Sequence, residues 1–321
     1  MIVDIVAPKL LLVEEELRRN FTSEVSTIQE VGQHILEGGG KRVRPSLLLL
    51  VSSMLGYEGA ADVTYAAVVE FVHTATLVHD DIIDEAELRR GRTSINYQWG
   101  NHLTVLVGDY LYTHAMKMAL REKRLEVVEL LCDTTILMTE GEIMGLENKG
   151  RLDLTSDEYF AIVGRKTAAL FGASCRIPAF LVGASPSRSD ALFNYGYNLG
   201  ICFQIIDDLL DFTSSTEVLG KPALQDLKEG KLTLPLILSL PSATEAERST
   251  IETVVRSAGS VDGSFDKQIV EIANKYGGID RTYEIAREYG ERALSHLHDL
   301  PASAERYALE SAAGFVLDRD R

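Results

Sequence analysis

Apolar residues recur at spacings of three and four along most of this chain, not in alternation. Phe71, Thr74/Ala75, Val78 and Ile82 form one such stripe; Val127/Val128, Leu131, Thr135 and Met138 form another. A period near 3.6 predicts helices with one buried face. No proline lies between Pro45 and Pro178, so nothing in that span forces a helix to break. β-Hairpin signals are nearly absent. The pattern predicts an all-α chain of about a dozen helices, packed as an orthogonal or up-and-down bundle. No shift in composition marks a boundary, so residues 1–321 read as one domain.

The expected loops are short. Gly38-Gly39-Gly40 breaks the chain before a basic segment, and Arg89 to Thr93 reads as a basic loop around Gly91. Gly183 to Asp190 is rich in Ser and Pro, with Ser189 or Asp190 as a helix N-cap. The longest polar stretch, Thr213 to Lys231, carries Gly220-Lys221-Pro222 and Gly230-Lys231. Lysines beside glycines in such a stretch suit a lid over an anion, although an ordinary exposed loop has the same composition.

Two copies of Asp-Asp-x-x-Asp change the picture. They are Asp80-Asp81-Ile82-Ile83-Asp84 and Asp207-Asp208-Leu209-Leu210-Asp211, each after an apolar run. On a helix, residues four apart share a face, and like charges there repel unless a cation sits among them. Two remote copies point to carboxylate clusters converging on metal ions. Mg²⁺ takes oxygen ligands and keeps sites open for substrate phosphates.

Candidate anion partners follow. Lys41 and Arg44 stand at a helix start after three glycines, a setting that suits phosphate. Arg89 and Arg90 come soon after the first acidic motif, and arginine makes bidentate contacts to phosphate. His73 lies two turns before Asp80, and Gln204 precedes Asp207, Asp208 and Asp211 by three, four and seven residues. Lys166-Thr167 follows Gly164 within a helical pattern. Taken singly, a helical histidine such as His73 is more often structural, and Arg89-Arg90 also reads as a basic turn balancing nearby acids.

Bulk composition narrows the class. The 321 residues are 45% hydrophobic and 25% charged, an ordinary globular balance. A net charge of −16, from 48 acidic against 32 basic residues, argues against nucleic acid as a partner. Cys132, Cys175 and Cys202 are isolated and form no disulfide or zinc pattern. Neither a signal peptide nor a membrane span is visible, so a cytoplasmic location is expected.

The segments GGGKRVRP, LVHDDIIDEAELRRGRTS, GRKTA, FQIIDDLLDF and GKP closely resemble those of the trans-isoprenyl (polyprenyl) diphosphate synthases, in family order. The resemblance implies an all-α isoprenoid-synthase bundle around a central cavity, usually as a homodimer. It implies head-to-tail condensation of isopentenyl diphosphate with an allylic diphosphate. By motif, Asp80, Asp81, Asp84, Asp207, Asp208 and Asp211 would hold Mg²⁺, three ions per site, or support the ligands. Lys41, Arg44, His73 and Arg90 would bind isopentenyl diphosphate. Arg89, Lys166, Thr167, Gln204, Lys221 and Lys231 would engage the allylic diphosphate. A terpene cyclase would normally lack the second acidic motif and the GGGKRVRP segment. A non-catalytic subunit of a heteromeric synthase would have lost carboxylates.

In this family, bulky residues just before the first aspartate stop chain growth. Here those positions are the small Ala75 and Thr76, with Val72 one turn deeper. One helical turn rises about 5.4 Å, near one prenyl unit, so an open wall predicts a product of about C35 to C50. A farnesyl or geranylgeranyl synthase is the alternative. Release of so insoluble a product would call for transient membrane contact.

Overall fold

The computed structural model describes residues 2–213, 224–256 and 263–318, with backbone alone at 2–4 and 263. The expected lysine at 221 lies outside the described residues. Chain contacts divide the protein into two compact units: Met1–Thr135, Leu170–Phe193 and Asp299–Ser311, then Ile136–Ala169, Asn194–His298 and Ala312–Arg321.

The first unit is organised around helix α4 (Ala61–Ile83), which packs against α1 (Ile2–Asn20), α3 (Val43–Met54) and α6 (Asn101–Arg121). The sequence dictates that centrality. Tyr65 to Val69 are fully buried, as is Val72, so the helix is apolar nearly all round and needs partners on several sides. Phe71 packs on Phe21, with ring centroids 5.1 Å apart. Between α2 (Ser26–Glu37) and α3, Gly38 caps the first helix and Gly39 takes a left-handed φ of 59°.

Residues 88–93 are not a plain loop but a minimal hairpin: β1 (Leu88–Arg89) pairs antiparallel with β2 (Arg92–Thr93). Its two-residue turn, Arg90-Gly91, has φ of 54° and 75°. Tight hairpin turns need positive φ at both positions, normally signalled by Asn-Gly or Asp-Gly. An arginine in the first position hides that signal.

The second unit contains the C-terminal half of α7 (Leu125–Glu147), then α8 (Ser156–Val163) and most of α10 (Pro186–Thr213), which begins in the first unit. Helix 234–239 packs on α8 and on helix 278–295. Helix α8 opens with a capping box between Thr155 and Glu158. Helix α10 starts four residues before the expected cap. The Arg188 amide donates to Ser185 Oγ at 3.3 Å, and Pro186 takes the first position, where a missing N–H costs nothing. Asp190 instead pairs with Arg176.

Two further departures bear on function. The chain through Gly164–Ala168 is a π-turn, not continuous α-helix. The polar stretch before Lys231 is also not wholly loop. Residues Gln225–Lys228 form a helical turn, because Leu224 and Leu227 are buried and the Leu224 amide donates to Asp211 O at 2.9 Å.

Candidate active site

In the first unit, the acidic motif occupies the last turn of α4. The Asp84 amide still donates to Asp80 O at 2.8 Å. Asp81 is buried, and Arg89 grips its Oδ1 through Nε at 2.6 Å and Nη2 at 2.5 Å. Burial pushes the Asp81 carboxyl above the usual range, and the Arg89 guanidinium opposes that rise. The helix carbonyl end is itself partially negative, so carboxylates there are doubly disfavoured without a cation.

Beside this turn lies an open cleft whose walls include Gly39, Arg42, Thr74, Asp81, Arg89 and Arg90. The hairpin that carries the two arginines is fastened to α2. His34 Nε2 donates to Thr93 O at 2.8 Å, Arg92 pairs with Glu37 at 2.9 Å, and Arg90 donates to Gly39 O. Gly40 permits the approach: a Cβ there would stand 2.7 Å from Arg90 Nη1. Three residues of this region, Arg42, Glu85 and Arg90, hold left-handed backbone without being glycine. Such strain persists only where surrounding contacts enforce it, and it concentrates at functional sites.

Arg42 is structural, held by Glu14 at 2.6 Å and by the buried Glu70 at 2.7 Å. Arg44 is different. Its guanidinium lies over the Phe171 ring, 4.5 Å from the centroid, and its buried Nε has no hydrogen-bond partner. Burial, with the neighbouring Arg90 charge, pulls its pKa down to about 10 against the pull of Glu70, so it stays charged at neutral pH. His73 is pushed well below the ordinary histidine value by burial and by Arg44, Arg90, Arg89 and Arg42. The positive charge felt at this imidazole suits a nearby anion. Lys41 is exposed at the approach to α3.

In the second unit, the other acidic motif fills the last two turns of α10. Asp207 is exposed, while Asp208 and Asp211 are buried. Asp211 Oδ2 accepts from the Asp226 amide at 3.1 Å. Asp208 accepts from the Tyr159 hydroxyl at 2.7 Å and from Gln204 Nε2 at 2.8 Å. Thr167 Oγ1 donates to Gln204 Oε1 at 2.9 Å. Burial and the Asp226 charge drive the Asp208 carboxyl well above the usual range, against its two donors, and Asp207 adds to the rise. Lys166, in the π-turn, pairs with Glu142, and Lys231 pairs with Glu229 at 2.8 Å.

Residues 25–273 match the polyprenyl synthetase family model. The chain belongs to the polyprenyl synthetase family. It is 37% identical to the octaprenyl diphosphate synthase of Escherichia coli (strain K12) over 318 residues, covering 99% of this chain and 98% of that one. Among solved structures, a decaprenyl diphosphate synthase from Rhodobacter capsulatus matches at TM-score 0.94 and 36% identity, covering 100% of this chain and 98% of that one. A polyprenyl synthase from Caulobacter crescentus CB15, complexed with calcium and isoprenyl diphosphate, matches at TM-score 0.94 and 33% identity, with 100% and 97% coverage.

Membership makes this chain a trans-prenyltransferase of the all-α isoprenoid-synthase fold. The family's divalent cation fits the donor set found here. The donors are hard carboxylate oxygens, and both acidic motifs sit at the partially negative ends of long helices. Among the described residues, no group of three or more acidic, His or Cys side chains is already gathered in metal-holding geometry. No helix among the described residues is long and apolar enough to cross a membrane.

Several residues that touch the expected site residues carry no motif. Tyr159, Asp226 and Glu142 act through contacts far along the chain. Gly141 is needed because a Cβ there would stand 2.6 Å from the Lys166 amide nitrogen. Of the positions expected to set chain length, Val72 and Ala75 are buried, and Thr76 turns its hydroxyl to His73 O at 2.8 Å.

Proposed function

We propose that this synthase condenses isopentenyl diphosphate with an allylic diphosphate, farnesyl or geranylgeranyl, to an all-trans polyprenyl diphosphate of about C35 to C50. The observation that carries the reading is the buried Arg44, whose guanidinium rests on the Phe171 ring and whose Nε has no hydrogen-bond partner. The buried Arg44 charge is repaid by a diphosphate, which accepts from more than one arginine at once.

Arg44, Arg90, His73 and Lys41 hold isopentenyl diphosphate and fix its C3–C4 double bond for attack. Arg89, Lys166, Thr167, Gln204, Lys221 and Lys231 engage the allylic diphosphate. Asp80, Asp81, Asp84, Asp207 and Asp211 hold Mg²⁺, three ions per site, with Asp208 in support. Bound Mg²⁺ supplies electrostatic stabilisation of the charge that develops on the departing diphosphate. The allylic C1–O bond breaks, and its electron pair leaves with the diphosphate. Carbon C4 of isopentenyl diphosphate then bonds to C1 of the allylic cation. The resulting C3 cation loses a proton from C2 to the released diphosphate. Lys166 and Gln204 serve the first step by donating to the leaving group. Fixed substrate geometry makes the second step effectively unimolecular.

The active form is a homodimer, with transient membrane contact for product release. Exposed apolar side chains support the dimer, including Val105 and Leu106 on α6 and Ile136, Ile143 and Leu146 on α7. Sedimentation of the purified protein tests it: a species of twice 35.4 kDa is expected. Diphosphate release from farnesyl and isopentenyl diphosphates, with and without Mg²⁺, tests the reaction. Strict Mg²⁺ dependence is expected, and release without Mg²⁺ would contradict the assignment.

A further inference from the structure

The hydrogen bonds around Asp208 have a fixed polarity. Both oxygens of this buried carboxylate are occupied, Oδ2 by the Tyr159 hydroxyl and Oδ1 by Gln204 Nε2. Gln204 turns its NH₂ toward Asp208 and its carbonyl toward Thr167. The single hydroxyl hydrogen of Thr167 is thereby committed to Gln204 Oε1. Thr167 can then offer an incoming anion only lone pairs, while Gln204 keeps one unassigned N–H.

Tyr159 anchors the far end of this chain. It is 4% exposed, its ring lies edge-on to Phe160 at 5.4 Å, and it sits just past the capping box that starts α8. We propose that Tyr159 is a positioning residue for the allylic diphosphate: through Asp208 it holds Gln204 with its spare N–H presented to the diphosphate, and Thr167 serves as the brace for that amide. This deepens the functional reading above and rests on its assignment of Gln204 to the allylic diphosphate. The geometry reassigns Thr167 from donor to the anion to donor within the protein.

The test uses the full-length protein with Mg²⁺ and farnesyl S-thiolodiphosphate, an analogue that ionises too slowly to react. Binding is measured by calorimetry, and KM is measured for both substrates. Tyr159→Phe is expected to weaken the analogue about tenfold, the scale of one buried hydrogen bond to a charged group, with KM for isopentenyl diphosphate within about twofold. Thr167→Val should show the same loss, Thr167→Ser should restore binding, and Tyr159→Phe/Thr167→Val should bind no more weakly than the worse single variant. Equal weakening of both substrates, or additive losses in the double variant, would reduce Tyr159 to a packing residue and overturn the proposal. Unchanged analogue binding by Tyr159→Phe would overturn it as well, leaving the functional reading intact. Wild-type protein that binds no analogue would overturn both.

Discussion

Gly141 lies directly under Lys166, so that a Cβ built on the glycine would stand 2.6 Å from the lysine's amide nitrogen and 3.0 Å from its Cα. The obstruction is backbone, which cannot swing aside as a side-chain tip would. Gly141→Ala must therefore shift the π-turn that presents Lys166 and Thr167. Overpacking of this kind costs about 1–3 kcal/mol. The expected result is a fall in kcat/KM for the allylic substrate of at least tenfold, with a melting temperature lowered by only a few degrees. Unchanged kinetics would mean that the π-turn does not set the position of Lys166.

Arg44 offers a sharper separation of the two substrates. Its Nε is buried without a partner and its plane rests on Phe171. Arg44→Lys keeps the charge but loses the planar fork and the ring contact. Such charge-assisted hydrogen bonds are worth about 1.5–3 kcal/mol, so KM for isopentenyl diphosphate should rise about 10- to 100-fold. KM for the allylic substrate should stay within about twofold. An equal rise for both would move Arg44 out of the isopentenyl diphosphate site.

His73 gives a pH signature. Its folded pKa lies well below the ordinary 6.5, through burial and the charges of Arg44, Arg90, Arg89 and Arg42. Below pH 6.5 the unfolded chain binds a proton here that the folded protein does not, so this residue subtracts stability as pH falls through that value. Well above pH 6.5 it subtracts nothing. Against His73→Gln, the wild type should therefore lose more stability between neutral pH and pH 5. A diphosphate among the arginines reverses the local field, so inorganic pyrophosphate should raise the His73 pKa in an NMR titration. A His73 that titrates near 6.5 and ignores pyrophosphate would contradict the cationic pocket.

Much of this architecture was legible in the sequence because helical periodicity is a local signal. The stripe through Phe71, Val78 and Ile82 placed Asp80 and Asp84 on one turn, and the structure has them there. The family motifs led to Lys41, Arg44, His73, Lys166 and Gln204. What stayed hidden was set by contacts or by unusual backbone. Tyr159 reaches Asp208 across 49 residues, a pairing no local pattern encodes. The π-turn at 164–168 differs from an α-helix by one shifted hydrogen-bond register, which GRKTA does not announce. The hairpin turn at Arg90 places an arginine where the usual signal is Asn or Asp.

Chain length tests one wall of the account. Ala75 is buried one turn before His79 and Asp80 on α4. Ala75→Phe should block growth and shorten the product to about C15 to C20, since one helical turn corresponds to about one prenyl unit. Product sizes unchanged in this variant would show that α4 does not set the limit.

Sizing the wild-type product tests the central claim most directly. Purified protein is incubated with labelled isopentenyl diphosphate, farnesyl diphosphate and Mg²⁺, and the dephosphorylated alcohols are separated by length. The account predicts a ladder ending at about C35 to C50, as an open wall at Ala75 and Thr76 requires. Products ending at C20, or no elongation from any allylic primer, would contradict it.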